Sequence, residues 1–146
     1  MTDHLPLELE HFLPYRLSVL SNTISQGIAR EYHSRFGLSI TEWRAMAVLA
    51  RYDRDGLSAR QVAERTAMDK VAISRAVSKL VARSLVNRKL HQDDRRRSVL
   101  ALTPEGWIIH DQVAPLARRY EREVLKKLNA EEHACLNRIL DKLSSL

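Results

Sequence analysis

Apolar positions recur at a helical period over most of the chain. Near residues 14–35, and again from residue 104 to about residue 128, apolar side chains return every three or four positions, as on one face of an amphipathic helix. Shorter segments with this period lie near residues 41–52, 58–66 and 69–84 and after residue 129. Residues 86–91 alternate, and residues 98–102 are again β-prone. The pattern predicts a mainly α-helical protein with one small β-hairpin.

Residues that start and stop helices support this division. Pro14 suits the first turn of a helix, where its missing N–H is not needed, and Gly37 can end that helix. Side chains with an oxygen that can accept from free N-terminal amides precede each later helix. The residues that we expect to cap these helices are Thr41, Ser58 with Gln61, Asp69, Thr103 and Asn129 with Glu132.

The helix predicted at residues 69–84 has two chemically different faces. Its apolar positions are Ile73, Ala76, Val77, Leu80 and Val81. Its polar positions are Lys70, Ser74, Arg75, Ser78 and Lys79. The major groove of B-DNA admits one α-helix, which needs such a division between core and base edges. The order helix, helix, tight turn, helix, hairpin therefore predicts a winged helix-turn-helix.

Side chains within this motif are predicted to divide between bases and phosphates. Lys70, Ser74 and Arg75 lie in the first turns of the helix, which would meet base edges. Arginine and lysine hydrogen-bond well to guanine O6 and N7. Phosphate contacts fix the register without carrying sequence information, and the residues better placed for them are Ser78, Lys79 and Arg60.

The hairpin tip reads Asp93-Asp94-Arg95-Arg96-Arg97. Arg95, Arg96 and Arg97 on a short projection can reach a narrow minor groove, whose negative potential favours guanidinium groups. We expect Asp94 to orient one of these arginines through a charge-assisted pair. The alternative is an exposed, solvated hairpin tip.

The positive charge is concentrated in the central part of the chain. The net charge is +6, whereas residues 51–100 alone hold 13 basic and 6 acidic side chains, a net of +7. A localised positive field attracts a polyanion such as DNA, although a solvated basic surface is the alternative. The composition is 45% apolar, which is enough for a core.

Other features exclude whole classes of protein. The longest apolar run has six residues, 45–50, which is too short to span a bilayer, and no secretory signal is present. With Cys135 as its one cysteine the chain suits the cytoplasm. No nucleophile elbow, zinc-helix motif or phosphate loop occurs, and the six histidines are scattered. We therefore predict neither an enzyme nor a cofactor or metal site.

These residues together resemble the MarR family of bacterial transcription regulators. The most specific match is Asp94-x-Arg96-x5-Leu102-Thr103 in the wing, followed by Pro104-Glu105-Gly106. Further similar stretches are residues 38–44 (LSITEWR), 61–65 (QVAER) and 71–75 (VAISR). The resemblance covers about residues 13–145. Ala67 stands at a turn position where many relatives have glycine.

The resemblance implies an obligate homodimer on a near-palindromic operator. Residues 1–36 and 104–146 would form the helical dimerisation region, and residues 37–103 the winged helix-turn-helix domain. Half-sites would lie about one helical turn apart, roughly 34 to 36 Å. The terminal helices have more apolar positions than a single protomer could readily cover. This excess supports an isologous contact. The interface candidates are Leu13, Leu17, Leu20, Val124, Leu136, Ile139 and Leu143.

The resemblance also implies a repressor that a small aromatic or anionic effector releases from DNA. The residues of suitable chemistry near the implied pocket are Tyr32, His33, Trp43, Arg44 and Trp107. An arginine beside aromatic rings could hold a carboxylate while the rings stack on the ligand. The alternative is that the tryptophans belong to the core. A competing function is an architectural DNA-binding protein with little sequence preference, which competition with unrelated DNA would distinguish.

Overall fold

A computed structural model of the protein describes residues 3–90 and 98–145. Within these residues, a short 3-10 helix at Leu9–His11 precedes six α-helices and a two-stranded antiparallel sheet. The helices are α1 (Leu13–Phe36), α2 (Ile40–Arg51), α3 (Ala59–Thr66), α4 (Lys70–Ala82), α5 (Pro104–Leu125) and α6 (Ala130–Leu143). Strands β1 (Val86–Leu90) and β2 (Ser98–Leu102) lie between α4 and α5. The prediction of a mainly helical winged helix-turn-helix is confirmed.

The start of α2 differs from the prediction, because Ser39 and not Thr41 caps it. The Ser39 hydroxyl accepts the backbone N–H of Glu42 at 3.1 Å, and the Glu42 carboxylate accepts the N–H of Ser39 at 3.2 Å. This reciprocal capping box satisfies two donors, whereas Thr41 already lies inside the helix. The sequence Ser39-Ile40-Thr41-Glu42 carries the S-x-x-E signature that could have identified the cap.

The other predicted caps are confirmed. Gly37 ends α1 in the left-handed region, with φ of 65°, where glycine has no steric penalty. Ser58 with Gln61, and Asn129 with Glu132, form capping boxes at α3 and α6. The side chains of Asp69 and Thr103 accept the N–H groups of Ala72 and Gly106.

One core lies where α2, α4 and the sheet meet, with α5 and the end of α1 packed against it. Its largest fully buried side chains from these elements include Tyr32, Met46, Leu49, Ile73, Leu80, Leu100 and Val113. In the sheet, Val86 pairs with Leu102 and Leu90 with Ser98. Leu57 adds an isolated bridge to Leu100, whose N–H donates to the Leu57 carbonyl at 2.7 Å. Val81, predicted to be an apolar core position, is exposed because it lies at the edge of the buried face of α4.

The end of α4 is joined to the end of α1 by one side chain. Arg83 donates to the carbonyl oxygens of Phe36 at 2.7 Å and Gly37 at 3.3 Å. These carbonyls belong to the last turn and cap of α1, where acceptors lack helical partners. A cation there also interacts favourably with the helix dipole. Arg83 therefore connects the winged part of the chain to the long N-terminal helix.

Candidate nucleic-acid interface and ligand site

The turn that joins α3 to α4 consists of Ala67, Met68 and Asp69. Ala67 adopts a left-handed conformation with φ of 53°, the conformation for which glycine is usual. Its N–H donates to the Glu64 carbonyl, and the N–H of Met68 donates to the Ala63 carbonyl, each at 3.2 Å. These bonds close the end of α3, so the turn forms although an alanine there costs roughly 1–2 kcal/mol. The resemblance left this geometry in question, and the structure shows the left-handed turn.

The two faces of α4 are separated as the sequence predicted. Its buried residues are Ile73, Ala76, Val77 and Leu80, which pack into the core. The predicted DNA-contacting residues on this helix, Lys70, Ser74, Arg75, Ser78 and Lys79, are all exposed. The helix therefore presents a polar and cationic surface while its other side is fixed by packing.

Sequence reasoning missed Val71 on this exposed surface. At about 100° per residue, Val71, Arg75 and Ser78 project from the side of α4 directly opposite its buried face. Lys70 and Ser74 lie towards one flank of this line, and their side chains emerge at a different angle. The spacing of 71, 75 and 78 was visible in the sequence, but an apolar residue was not considered for base contact.

The cations near this surface differ in whether they are paired. Arg60 on α3 forms an exposed ion pair with Glu64, with Nε and Oε1 3.1 Å apart. Over residues 3–90 and 98–145, no ion pair involves Lys70, Arg75 or Lys79. A phosphate would have to compete with a carboxylate for Arg60 but not for the three cations on α4.

The described part of the wing is the paired strands. Arg88 and Lys89 are exposed on β1 and add two cations beside the helix-turn-helix. Asn87 Oδ1 is buried and has no hydrogen-bond partner within the described structure. The residues that we assigned to the wing tip, Asp94, Arg95, Arg96 and Arg97, lie outside the described residues, so their assignment remains a prediction.

An aromatic cluster lies where α1, α2 and α5 meet. The ring of Trp43 lies 5.9 Å from that of Tyr32 and 5.6 Å from that of His110, centroid to centroid. Trp107 meets His110 edge-on at 5.2 Å. Burial raises the pKa of Tyr32 to about 12, with the Arg44 cation acting in the opposite direction. The structure thus brings Tyr32, Trp43 and Trp107 together and adds His110, which was not among the predicted pocket residues.

Arg44 connects this region to the turn before α4. Its guanidinium donates to Ser25 Oγ on α1 at 2.7 Å and approaches Met68 Sδ at 3.9 Å. The side chain is half-buried, and in the described ranges its hydrogen-bond partners are a hydroxyl and a thioether, with no carboxylate. A guanidinium has five N–H donors, so Arg44 retains capacity for an anion.

His33 is separate from this cluster. It is exposed and lines a shallow groove of about 370 Å³ with Gln26, Ala29, Arg30 and Ser34, and none of the other four pocket candidates lines that groove. Within residues 3–90 and 98–145, no group of three or more histidine, cysteine, aspartate or glutamate side chains could hold a metal ion. No helix in those ranges is long and apolar enough to cross a membrane.

Comparison with known proteins agrees with this geometry. A sequence profile described as MarR family matches residues 36–97, the segment that contains α2, the α3–α4 motif and β1. A crystal structure of a MarR-family transcriptional regulator from Silicibacter pomeroyi is 26% identical, covers 92% of this chain and 89% of its own, and superposes with a TM-score of 0.76. Residues 36–97 therefore match the MarR family, and the fold is similar to that of a MarR-family regulator.

Two named regulators are similar to this chain. HTH-type transcriptional regulator BilQ of Clostridium symbiosum is 30% identical over 90 residues, which cover 62% of each chain. HTH-type transcriptional repressor NicR of Pseudomonas putida is 29% identical over 104 residues, 71% of this chain and 66% of NicR. The chain spans less than two thirds of the length of either relative. Both relatives are named as transcription regulators, which agrees with the prediction that the chain is not an enzyme.

The terminal helices expose an apolar face in the single chain. Among the seven predicted interface residues, Leu13, Leu17, Leu20, Ile139 and Leu143 are exposed, whereas Val124 and Leu136 are half-buried. The N-terminal segment adds Leu5, Leu7 and Phe12, which the sequence analysis did not include. Cys135 is a free, half-buried thiol on α6. Exposed apolar residues in this number on the terminal helices are typical of a protein–protein interface.

Proposed function

We propose that this protein is a homodimeric transcriptional repressor that binds a near-palindromic DNA operator and releases it when a small aromatic acid binds. The observation that carries the DNA-binding part is the construction of α4. One side is locked into the core by Ile73, Val77 and Leu80, and the other offers Arg75 and Lys79 to solvent. A rigid helix with a free polar face is what the major groove accepts.

The charge distribution supports attraction to the DNA backbone. Residues 51–100 carry a net charge of +7, and Lys70, Arg75 and Lys79 have no competing ion pairs over the described residues. Cations that neutralise phosphates release condensed counterions, so binding weakens as salt increases. Arg75, on the side of α4 opposite its buried face, is placed for guanine, while Ser78 and Lys79 are placed for phosphates.

The exposed apolar face of the terminal helices supports the homodimer. An isologous contact would bury Leu17, Leu20 and Ile139 against the same residues or their neighbours in a second copy. The two α4 helices would then enter successive major grooves on one side of the duplex, roughly 34 to 36 Å apart. The family name and the repressor NicR support a role in transcription.

Arg44 and the aromatic cluster support the effector. A carboxylate at the guanidinium would make charge-assisted hydrogen bonds, which are stronger than those to Ser25 or Met68. Aromatic rings of Trp43 and Trp107 nearby could contact an aromatic body. Because Met68 belongs to the turn before α4, movement of Arg44 towards the ligand would alter the support of the DNA-facing helix.

The first experiment tests specific DNA binding. The purified protein is used to select duplexes from a randomised library, and affinity for the selected duplex is then measured with excess unrelated DNA. A homodimeric, sequence-specific regulator should enrich an inverted repeat and keep at least about 1,000-fold preference over unrelated DNA. If the protein retains all library sequences equally, the architectural alternative is favoured. If it binds no duplex at low salt, both the sequence-specific regulator and the architectural protein are contradicted.

The second experiment tests the effector. Salicylate and 4-hydroxybenzoate are titrated into the protein, with the neutral salicylamide as a matched control. A carboxylate that binds the folded state should raise the melting temperature and lower affinity for the selected duplex. Arg44→Gln should abolish both effects, whereas Arg54→Gln, on an exposed loop, should retain them. Tighter DNA binding on addition of the acid would contradict release.

A further inference from the structure

Val71 occupies the centre of the exposed face of α4, in its first turn. It follows Lys70, the first residue of the helix, and its side chain is 57% exposed. Arg75 and Ser78 follow it on the same side at i+4 and i+7, which places the three in one line directly opposite Ile73 and Val77. A surface that lies against this side of α4 would therefore face both Arg75 and Val71.

The fold gives no reason for valine at this position. Over residues 3–90 and 98–145, Val71 is not among the residues of the core or those packed against it. Its β-branched side chain also has a lower helix propensity than alanine, lysine or glutamine. An exposed polar residue would therefore serve the isolated protein at least as well.

We infer that Val71 is a specificity-determining residue that contacts the 5-methyl group of thymine in the major groove. This inference rests on the proposed DNA-binding function. Valine can neither donate nor accept a hydrogen bond, and the thymine methyl is the apolar group that a standard base pair presents in this groove. Contact between the two removes both apolar surfaces from water.

The helix geometry also sets the distance between this thymine and the guanine proposed for Arg75. Four residues advance an α-helix by about 6 Å, whereas successive base pairs are about 3.4 Å apart. For a helix that follows the groove, Val71 and Arg75 therefore contact bases within about two base pairs of one another. The half-site should contain a thymine at this separation from the guanine.

The experiment deletes only the methyl group. The duplex selected by the wild-type protein from the randomised library is synthesised with deoxyuridine in place of each half-site thymine in turn. The Arg75→Ala variant first identifies the guanine that Arg75 recognises, because this variant no longer prefers guanine there. At one thymine within about two base pairs of that guanine, the wild type should bind the deoxyuridine duplex about fourfold more weakly. This factor corresponds to about 0.8 kcal/mol for one buried methyl group.

The variant Val71→Ala should bind the thymine and deoxyuridine duplexes equally. Alanine has a higher helix propensity, so the variant should fold. The matched control is Val81→Ala, which removes an exposed valine from the last turn of the same helix and should keep the fourfold discrimination. Both variants should retain the wild-type dependence of affinity on salt, because neither removes a cation.

The outcomes separate the inference from the function on which it rests. If the wild type selects a sequence but binds every deoxyuridine duplex as tightly as the parent, the thymine contact is wrong and specific DNA binding stands. Discrimination that survives in Val71→Ala assigns the methyl contact to another residue and also overturns the inference. If the library yields no preferred sequence, the proposed function and the inference fail together.

Discussion

The winged part of the molecule and its terminal helices use apolar residues in opposite ways. From α2 to β2, apolar side chains such as Met46, Ile73 and Leu100 are fully buried within one chain. In contrast, α6 has no buried residue, and α1 buries only Gly27 and Tyr32, both in its second half. The core around the winged region is therefore complete within one chain, with Tyr32 of α1 and Val113 of α5 contributing, whereas the rest of the terminal region has an apolar face that only another surface can cover.

The largest expected effect tests the core that is buried within one chain. Leu80→Ala removes a fully buried side chain from α4 and should lower the free energy of unfolding by about 2–5 kcal/mol, since it leaves a cavity. Chemical denaturation at one fixed protein concentration measures the change. Val81→Ala, its exposed neighbour, should change stability by less than about 0.5 kcal/mol. Equal losses in the two variants would contradict the distinction between the faces of α4.

The second prediction tests the uncovered face. Leu20→Asp should raise the dissociation constant of the dimer by at least about 100-fold, because a carboxylate buried in an apolar contact costs several kcal/mol. Sedimentation velocity over a range of concentrations measures it. Leu90→Asp, at a residue that is also exposed but lies on β1, should leave the dimer intact. If the wild type sediments as a single chain, the proposed interface is wrong.

The third prediction separates DNA recognition from assembly. Arg75→Ala should cost about 1–3 kcal/mol of specific binding and relax the preference at one base pair. Lys79→Ala should weaken binding to all duplexes alike and reduce the salt slope by about one. Anisotropy titrations at several salt concentrations measure both, and sedimentation should show unchanged dimers. Unaltered discrimination among operator variants in Arg75→Ala would exclude it from base contact.

The fourth prediction tests the connection between the two regions. Arg83→Ala removes two hydrogen bonds from a charged donor to the end of α1, and the exposed position limits the loss of stability to about 1 kcal/mol. Arg83→Lys should recover only part of it, because an ammonium cannot reproduce the planar fork. Thermal denaturation measures both variants. A fully stable Arg83→Ala would show that this connection does not contribute.

The smallest effect at neutral pH concerns Tyr32 at the junction. Its raised pKa means that the folded protein holds the phenol proton more tightly than the unfolded chain. The resulting stability is present below about pH 10 and is lost as the pH rises towards 12. Tyr32→Phe should therefore show a shallower loss over this interval than Tyr52→Phe, an exposed control. Parallel loss of stability in the two variants would contradict the assignment.

Local signals in the sequence were sufficient for the fold. Ser58, Asp69 and Asn129 cap their helices through residues three positions away, so a linear pattern contains both partners. The same rule predicted the two faces of α4, because helical periodicity decides which side is buried. At α2 we predicted Thr41 as the cap, although the S-x-x-E spacing of Ser39 and Glu42, whose reciprocal bonds the structure shows, was present in the sequence.

Contacts between distant segments account for what the sequence analysis missed. Arg83 meets the end of α1 across more than 40 residues, and Arg44 meets Ser25 on another helix. His110 belongs with Trp43 because α2 and α5 pack together, which no spacing along the chain reveals. His33, one residue from Tyr32, lines a different groove because adjacent helical residues point about 100° apart.

The Arg83 link has a geometric consequence for a symmetric assembly. With its C-terminal end fastened to α1, each α4 cannot shift independently of the long helix that carries the apolar face. In a dimer built on that face, the relative position of the two α1 helices would set the distance between the two DNA-facing helices. A small tilt between the α1 helices would change this distance. Duplexes whose half-sites have the matching spacing would then bind best.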